Sequence, residues 1–329
     1  MTPCEQSSAE LVVDPRLDGT NQVTMVVLRT SDGHASSASV HAPPGATGAP
    51  VILLHGLSQQ RRFWDPVVAR MHHAPVVTLD QRGHGASTAG PGADYSIDRC
   101  ARDVIELAES LAYPSIHVVG HSWGGAVALR VTATAPDLVE SCCLIDGGLS
   151  TPSAPTTPGS DPTIREALLK RLRPPDLGIP IDEIWAILAR GMGDAWSDEA
   201  QQALVPTYSV EPDGTARTVI GVDRHMAVLE GLLDYDPWPD AESLRRPLWA
   251  IFCEPRGVQS DESRLRVIER AQRLQYALVQ RWHGALHDVP LQWPALVAGL
   301  IDNLVESSSG NLARSSHVPS VTDMLGVSA

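Results

Sequence analysis

The strongest constraint on the fold is a serine with glycines close on both sides, located between a predicted strand and a predicted helix. The run 120–124 (GHSWG) follows the apolar segment 115–120 and precedes a helix of small residues over 123–135. Nearby glycines let the chain turn sharply and let strand and helix approach closely. Such a turn carries the serine hydroxyl out above the sheet, where the start of the next helix favours negative charge. The sequence therefore predicts a nucleophilic Ser122 at a strand-to-helix turn.

Short apolar segments alternate with helical ones on both sides of this turn. Strands that are apolar throughout are buried on both faces, which is typical of a parallel sheet covered by crossover helices. We therefore expect an α/β fold with a mostly parallel sheet flanked by helices. The apolar segments that predict its core strands are 51–54, 75–79, 115–120, 141–145, 247–253 and 276–282.

The alternation is interrupted once, over 148–244, where helical segments occur without a convincing strand. We predict that this stretch is an inserted helical cap, and that 20–147 and 245–305 form the α/β core. The polar flanks are predicted to be a flexible N-terminal arm over 1–19 and a flexible C-terminal tail over 306–329.

The net charge and the cysteines indicate which partners the protein can bind and in which cell compartment it is expected. The chain has 39 acidic and 25 basic residues, a net charge of −14, which argues against nucleic acid or an anionic membrane as the main partner. No apolar run approaches the roughly 20 residues of a membrane span, and residues 1–10 lack a signal-peptide pattern. The five scattered cysteines favour reduced thiols. We expect a cytoplasmic protein, and its arginine-rich, lysine-poor composition is typical of a GC-rich bacterial genome.

Cofactor signatures are absent from the sequence. It contains neither a GxGxxG run nor a phosphate-binding P-loop motif, and no cluster of residues has metal-ligand spacing. We therefore expect no cofactor and no metal, and a small molecule as the partner.

Four motifs together resemble the α/β-hydrolase fold superfamily, specifically its capped serine hydrolases. They are HGL at 55–57, DQRGHG at 80–85, GHSWG at 120–124 and HDVP at 287–290, in the superfamily's order. The resemblance covers roughly 50–305. It implies an oxyanion hole made by the backbone N–H groups of Leu57 and Trp123.

The resemblance also implies a late histidine as the base of a catalytic triad. His287 lies just before the last predicted helix, where members of the superfamily place the base. His283 ends a predicted strand and His317 lies in the polar tail, so both fit less well. We predict that His287 takes the proton of Ser122 and returns it to the leaving group.

The third member of the triad is where the sequence departs from the commonest pattern of the superfamily. The position expected to hold an aspartate, after the strand that follows the cap, holds Arg256. Asp146, at the end of the preceding core strand, is the acid that we predict. Glu254 is the alternative, and Asp261 is a more distant one. Asp146 also has a plain structural interpretation as a turn residue before two glycines.

The predicted cap contains bulky side chains that are candidates for the substrate pocket, although most such residues only pack helices together. We predict a serine hydrolase for a carboxylic ester, lactone or thioester of a small apolar molecule. The alternatives are a ligand-binding or receptor-like protein on the same scaffold, an acyltransferase, and an amide or carbon–carbon bond hydrolase with the same triad. The pocket candidates are Trp185, Met192, Trp196, Tyr208 and Met226.

Overall fold

A nine-stranded sheet forms the centre of the molecule in a computed structural model of the chain. The structure describes residues 11–14, 23–43, 45–87, 89–90, 92–149, 162–174 and 178–309. The strands are β1 (Leu11–Asp14), β2 (Val23–Arg29), β3 (Ala35–His41), β4 (Val51–Leu54), β5 (Val76–Asp80), β6 (Ile116–His121), β7 (Val139–Ile145), β8 (Ile179–Pro180), β9 (Tyr208–Val210), β10 (Thr215–Thr218), β11 (Leu248–Glu254) and β12 (Ala277–His283).

The strand order of the main sheet is β1-β2-β3-β5-β4-β6-β7-β11-β12. The six strands from β5 to β12 in this order pair in parallel. The first three strands are antiparallel, as is the β3–β5 pair. Every residue of β4, β5, β6 and β11 is buried, because helices cover both faces of the sheet. The predicted fold class, a mostly parallel α/β sheet flanked by helices, is confirmed.

Helices pack in two layers, one on each face of the sheet. Residues of α2, α3, α8 and α9 share one apolar cluster with the sheet. Residues of α1, α6, α10 and α11 share the other. The helices are α1 (Asp65–Val68), α2 (Ile97–Ser110), α3 (Trp123–Thr134), α4 (Pro162–Leu172), α5 (Ile181–Met192), α6 (Asp198–Leu204), α7 (Gly221–Leu233), α8 (Trp238–Ser243), α9 (Glu262–Ala271), α10 (Val289–Gln292) and α11 (Pro294–Ser309), with short 3-10 turns at Arg61–Trp64, Gly193–Ala195 and Val205–Thr207.

The stretch between β7 and β11 contains the helices that the sequence predicts, but it is not purely helical. Strands β8, β10 and β9 form a second, antiparallel sheet. They are only two to four residues long, which is too short for a hydrophobic period to be recognised. Helix α8 packs with the core, because Asp240 accepts a hydrogen bond from Arg130 of α3 at 2.8 Å. Helices α6 and α8 of the insertion therefore pack within the two core layers.

The chain ends are more ordered than the sequence predicts at two places. Strand β1 lies within the predicted N-terminal arm and pairs with β2, and α11 continues to Ser309, past the predicted start of the tail. The rest of the arm and tail lies outside the described residues. The four described cysteines are buried free thiols. Among the described residues, no helix combines the length and apolar character that a bilayer span requires.

Candidate active site

Ser122 lies in a strained turn between β6 and α3. Its backbone has φ 54° and ψ −119°, a conformation that side chains disfavour and that is held by the surrounding structure. The Ser122 N–H donates to the Ile145 carbonyl at 2.9 Å. A Cβ on Gly120 would lie 2.1 Å from the Gly124 carbonyl oxygen, and one on Gly147 would lie 2.1 Å from that of Ser122. The glycines thus make room for the turn, as the sequence predicts for Gly120 and Gly124.

His287 bridges Ser122 and Asp146. Its Nδ1 lies 2.6 Å from Asp146 Oδ2, and its Nε2 lies 3.0 Å from Ser122 Oγ. An ionised carboxylate can only accept hydrogen bonds, so Nδ1–H donates to Asp146, and Nε2 is left to accept the hydroxyl hydrogen of Ser122. The His287 side chain is 55% exposed, so a substrate can approach this pair from solvent.

Asp146 is held in place by the neighbouring strand β11 and by α9. Its N–H donates to the Ile251 carbonyl at 2.8 Å, and its backbone is left-handed with φ 49°. Oδ1 accepts the Cys253 N–H at 2.9 Å and the Arg264 guanidinium at 2.6 Å. The carboxylate therefore has partners on both oxygens, which a side chain only 7% exposed requires.

The other carboxylates that the sequence offered have different partners. Glu254 accepts from Arg281 at 2.6 Å and contacts His283 Nδ1 at 2.7 Å. Asp261 accepts from the Arg264 N–H at 2.8 Å, as the N-terminal cap of α9. Since both ring nitrogens of His287 are already bonded to Ser122 and Asp146, neither Glu254 nor Asp261 is its hydrogen-bond partner.

The pKa values of the His287–Asp146 pair move in opposite directions. Loss of contact with water lowers the pKa of His287, but the hydrogen bond and the charge of Asp146 have a larger combined effect. The pKa of His287 is therefore above its ordinary value. Burial raises the pKa of Asp146, but His287 and Arg264 outweigh burial and hold it below its ordinary value. Each partner thus favours the charged form of the other.

Gln59 and His121 connect the loop after β4 to the loop that carries His287. The Gln59 side chain accepts the Gly56 N–H at 3.0 Å and donates to Asp288 at 2.9 Å. His121 Nε2 donates to the His287 carbonyl at 2.8 Å. Burial lowers the pKa of His121 to about 4, so this histidine is neutral near pH 7. The sequence analysis did not single out Gln59, because no local pattern marks a contact across 229 positions.

The two residues predicted to form an oxyanion hole lie in segments that flank the serine. Leu57 follows Gly56, where a Cβ would lie 3.2 Å from the Ser122 Cβ, so this loop packs directly on the turn. Trp123 follows Ser122 and begins α3. Its side chain is buried and stacks on His84, with ring centroids 5.1 Å apart. The indole therefore lies in the core, and the oxyanion role of the two backbone groups stays a prediction.

The insertion contacts the loop after β4 through a serine–histidine pair. Ser58 Oγ lies 2.6 Å from His225 Nδ1, and His225 Nε2 lies 3.2 Å from the Leu172 carbonyl. Because a carbonyl only accepts, Nε2–H donates to Leu172 and Ser58 donates to Nδ1. The Ser58 N–H donates in turn to His84 Nε2 at 3.2 Å. This chain of bonds ties α7 and the end of α4 to the loop of Leu57.

A cavity of about 340 Å³ lies within the insertion, between α5, the small sheet and α7. Of the five predicted pocket residues, Tyr208 lines it. Trp185, Met192 and Trp196 pack instead against the apolar cluster shared by α1, α6, α10 and α11. Met226 is a half-buried residue of α7 that does not line this cavity. The lining residues are Pro174, Ile179, Ile184, Ile187, Leu188, Tyr208, Ala216, Arg217, Thr218, Gly221 and Val222.

A family model described as the alpha/beta hydrolase fold matches residues 49–171. This region contains the turn at Ser122 and the loop after β4. A solved structure described as E-2-(acetamidomethylene)succinate hydrolase superposes with a TM-score of 0.64, covering 90% of this chain and 100% of that one at 22% sequence identity. The chain has the α/β-hydrolase fold. The resemblance carried by the four motifs is thereby confirmed at the level of fold.

The curated proteins to which the chain is similar include hydrolases of several kinds. N-formylmaleamate deformylase of Pseudomonas putida is 31% identical over 156 residues, which cover 47% of this chain and 55% of that protein. Lipase LipV of Mycobacterium tuberculosis is 26% identical over 201 residues, covering 54% of this chain and 74% of that protein. The match thus spans about half the length of the deformylase.

Proposed function

We propose that the chain is a serine hydrolase that cleaves a carboxylic ester, lactone or thioester of a small, partly apolar molecule through an acyl-enzyme. The observation that carries the proposal is the continuous hydrogen-bonded chain from Ser122 Oγ through His287 to Asp146. A hydroxyl whose hydrogen is donated to an imidazole nitrogen, with the other nitrogen held by a carboxylate, is arranged for nucleophilic attack. The fold alone is compatible with other chemistries, so the proposal depends on this geometry.

In the first half-reaction, Ser122 Oγ attacks the substrate carbonyl carbon and its proton moves to His287 Nε2. The tetrahedral intermediate then expels the alcohol or thiol, which takes that proton, and an acyl-serine remains. In the second half-reaction, water attacks the acyl-serine with His287 as base. The carboxylic acid leaves, and Ser122 recovers its proton. Asp146 keeps its negative charge throughout and stabilises the imidazolium.

The negative charge that develops on the carbonyl oxygen needs donors at a fixed place. The backbone N–H groups of Leu57 and Trp123 are the proposed donors, because their segments pack directly beside Ser122. Each such donor is worth about 3–4 kcal/mol of barrier. Since both are main-chain groups, the fold of the loop and the start of α3 decide their position, whatever side chains they carry.

The cavity in the insertion supports an apolar substrate moiety. Its volume of about 340 Å³ is within the range of small-molecule sites. Ile184, Leu188 and Val222 provide apolar walls. Tyr208 lines it too, and the negative charge of Asp288, next to His287, raises the pKa of Tyr208 beyond the larger effect of burial.

Amide hydrolysis is a second candidate, and the deformylase relative favours it because its name describes removal of an N-formyl group. The same triad serves both bonds, but an amide has the poorer leaving group, so His287 must protonate the departing nitrogen. Comparing an acetate ester of p-nitrophenol with p-nitroacetanilide distinguishes the two, because the acyl group is the same and only the leaving atom changes.

The first experiment is fluorophosphonate labelling of the purified chain with peptide mass mapping. We expect a fast adduct on Ser122 and none in Ser122→Ala. The control is Ser58→Ala, which removes another serine hydroxyl that donates to a histidine and should keep the label. Absence of an adduct in a folded wild-type sample would contradict the proposal and favour a ligand-binding role. Product analysis with added alcohol separates hydrolysis from acyl transfer.

A further inference from the structure

Arg264 of α9 forms a close ion pair with the acid of the proposed triad. Its guanidinium nitrogen lies 2.6 Å from Asp146 Oδ1 and also donates to the Cys253 carbonyl at 2.7 Å. The guanidinium carbon lies 5.6 Å from the centre of the Phe252 ring. The side chain is only 28% exposed. These contacts place a permanent positive charge on the side of Asp146 opposite His287.

The two carboxylate oxygens of Asp146 are thereby divided between two positive partners. Oδ2 receives the His287 N–H, while Oδ1 receives Arg264 and the Cys253 N–H. The division has two physical consequences. The carboxylate cannot rotate without breaking charge-assisted bonds, and part of its negative charge is neutralised before it acts on His287.

We propose that Arg264 is a positioning residue for the Asp146–His287 pair, and this inference rests on the proposed hydrolase function. It holds Asp146 in the orientation that His287 needs, and it limits how strongly Asp146 favours the imidazolium. A carboxylate without this partner would bind the His287 proton more tightly. The base would then stay protonated, and therefore inactive, over a wider range of pH.

Four charged or titratable groups act on His287 in the part of the chain that the structure describes. Asp146 and Asp288 favour the imidazolium, and Arg264 disfavours it. His121, with its ring centroid 4.9 Å from that of His287, is neutral near pH 7. Removing Arg264 therefore leaves burial as the main effect that opposes the two carboxylates, and the pKa of His287 should rise.

The test compares Arg264→Met, Arg264→Lys and wild type by two measurements. One is NMR titration of the imidazole signals, with His287 assigned by its loss in His287→Gln. The other is the pH profile of kcat/KM for an aryl ester. Met removes the charge and Lys keeps it. Arg266→Met on the same helix is the matched control, because Arg266 pairs with exposed Glu262.

We expect Arg264→Met to raise the His287 titration midpoint and the acid limb of kcat/KM by about half to one pH unit. Arg264→Lys should stay near the wild-type midpoint, and Arg266→Met should not change it. A purely structural role predicts lower activity at every pH with an unmoved midpoint, and that result would overturn the inference. Equal shifts of the His287 midpoint in Arg264→Met and Arg264→Lys would also overturn the inference.

The NMR measurement keeps this inference separate from the proposed function. An inactive wild type whose His287 midpoint still rises in Arg264→Met would contradict hydrolysis but support the coupling of Arg264 to the pair. An active wild type whose His287 midpoint does not move in Arg264→Met would support hydrolysis and contradict the coupling of Arg264 to the pair. Thermal unfolding of each variant shows whether it is folded, and the Lys variant retains a test if Met destabilises the chain.

Discussion

At the scale of single residues, the hydrogen on His287 Nδ1 decides which nitrogen can act as a base. Asp146 Oδ2 accepts that hydrogen, with Nδ1 and Oδ2 2.6 Å apart, so Nε2 has the free lone pair that faces Ser122. Burial of Asp146 makes the pair sensitive to any change in its charge, because charges interact more strongly away from water. Two predictions follow from this arrangement.

The first concerns pH. In the proposed mechanism turnover needs neutral His287, and the net effect of its surroundings raises the pKa of His287 above its ordinary value near 6.5. Activity should therefore fall as the pH drops through a midpoint above about 6.5. The measurement is kcat/KM for an aryl ester between pH 5 and 9. A midpoint below 6 would show that Asp146 does not raise the basicity of His287.

The second compares the two carboxylates that the sequence left open. Asp146→Asn should lower kcat by about 10³- to 10⁴-fold, because an amide can donate to Nδ1 and leave the hydrogen on Nε2. Glu254→Gln should keep most of the activity, because Glu254 pairs with Arg281 and His283 instead. Steady-state rates of both variants provide the check. Full activity in Asp146→Asn would remove Asp146 from the mechanism.

The sequence predicted some of these residues better than others, for a physical reason. Ser122 is marked by local turn chemistry, and His287 by its place before the last helix. Gln59 and Arg264 act across 229 and 118 positions, and nothing next to them in the chain indicates their partners. Local sequence thus indicated the residues that react in the proposed mechanism, while the groups that orient them depend on tertiary structure.

At the scale of elements, the turn between β6 and α3 depends on glycines that face backbone atoms. A Cβ on Gly124 would lie 2.4 Å from the Leu54 carbonyl oxygen in the neighbouring strand. Backbone cannot move aside as a flexible side chain can, so any side chain here must push β4 and α3 apart. The distance between the strand and the helix at this turn therefore depends on the glycines having no side chain.

We predict that Gly124→Ala destabilises the chain by at least about 2 kcal/mol and lowers activity by misplacing Ser122. The control is Gly191→Ala in α5, where a Cβ meets nothing within 4 Å. That change should be neutral or stabilise slightly, because alanine is the better helix former. Denaturant unfolding measures both. Equal stability of the two variants would show that the close approach at Gly124 is relieved easily.

Predictability from sequence also differs between elements. The buried core strands were recognised from continuous apolar runs, and the helices of the insertion from their spacing. The strands β8, β9 and β10 were missed because exposed positions interrupt them and they are short. Strand β8 pairs with β10, which lies more than thirty positions later in the chain, and no local window contains both strands.

At the scale of the whole molecule, the insertion contains an apolar cavity, and the core contains the polar chain from Ser122 to Asp146. The core provides Ser122, His287 and Asp146, while the insertion provides Tyr208 and the aliphatic walls. The proposed division is that the core determines the reaction and the insertion determines which molecules undergo it. The sequence predicted the insertion, but only one of its five pocket candidates lines the cavity, because large side chains in helices more often pack against neighbours.

Filling the cavity tests this division. Val222→Trp places a large ring in the cavity wall and should lower kcat/KM for a hexanoate aryl ester at least about tenfold more than for the acetate ester. Val210→Trp is the control, because Val210 is 53% exposed and does not line the cavity. Rates for both esters provide the measurement. Equal losses for the two esters in Val222→Trp would mean that the acyl chain binds elsewhere.

The insertion leaves the core after β7 and returns to it at β11, and these two strands are neighbours in the sheet. Because the two strands run in parallel, the connection leaves at the carboxyl end of β7 and returns at the amino end of β11, as a crossover to the adjacent strand. A segment that makes the same crossover can replace the insertion without changing the order of the sheet. Over evolutionary time, the part that contains the cavity can be exchanged as a module, whereas Ser122, Asp146 and His287 must change together or not at all.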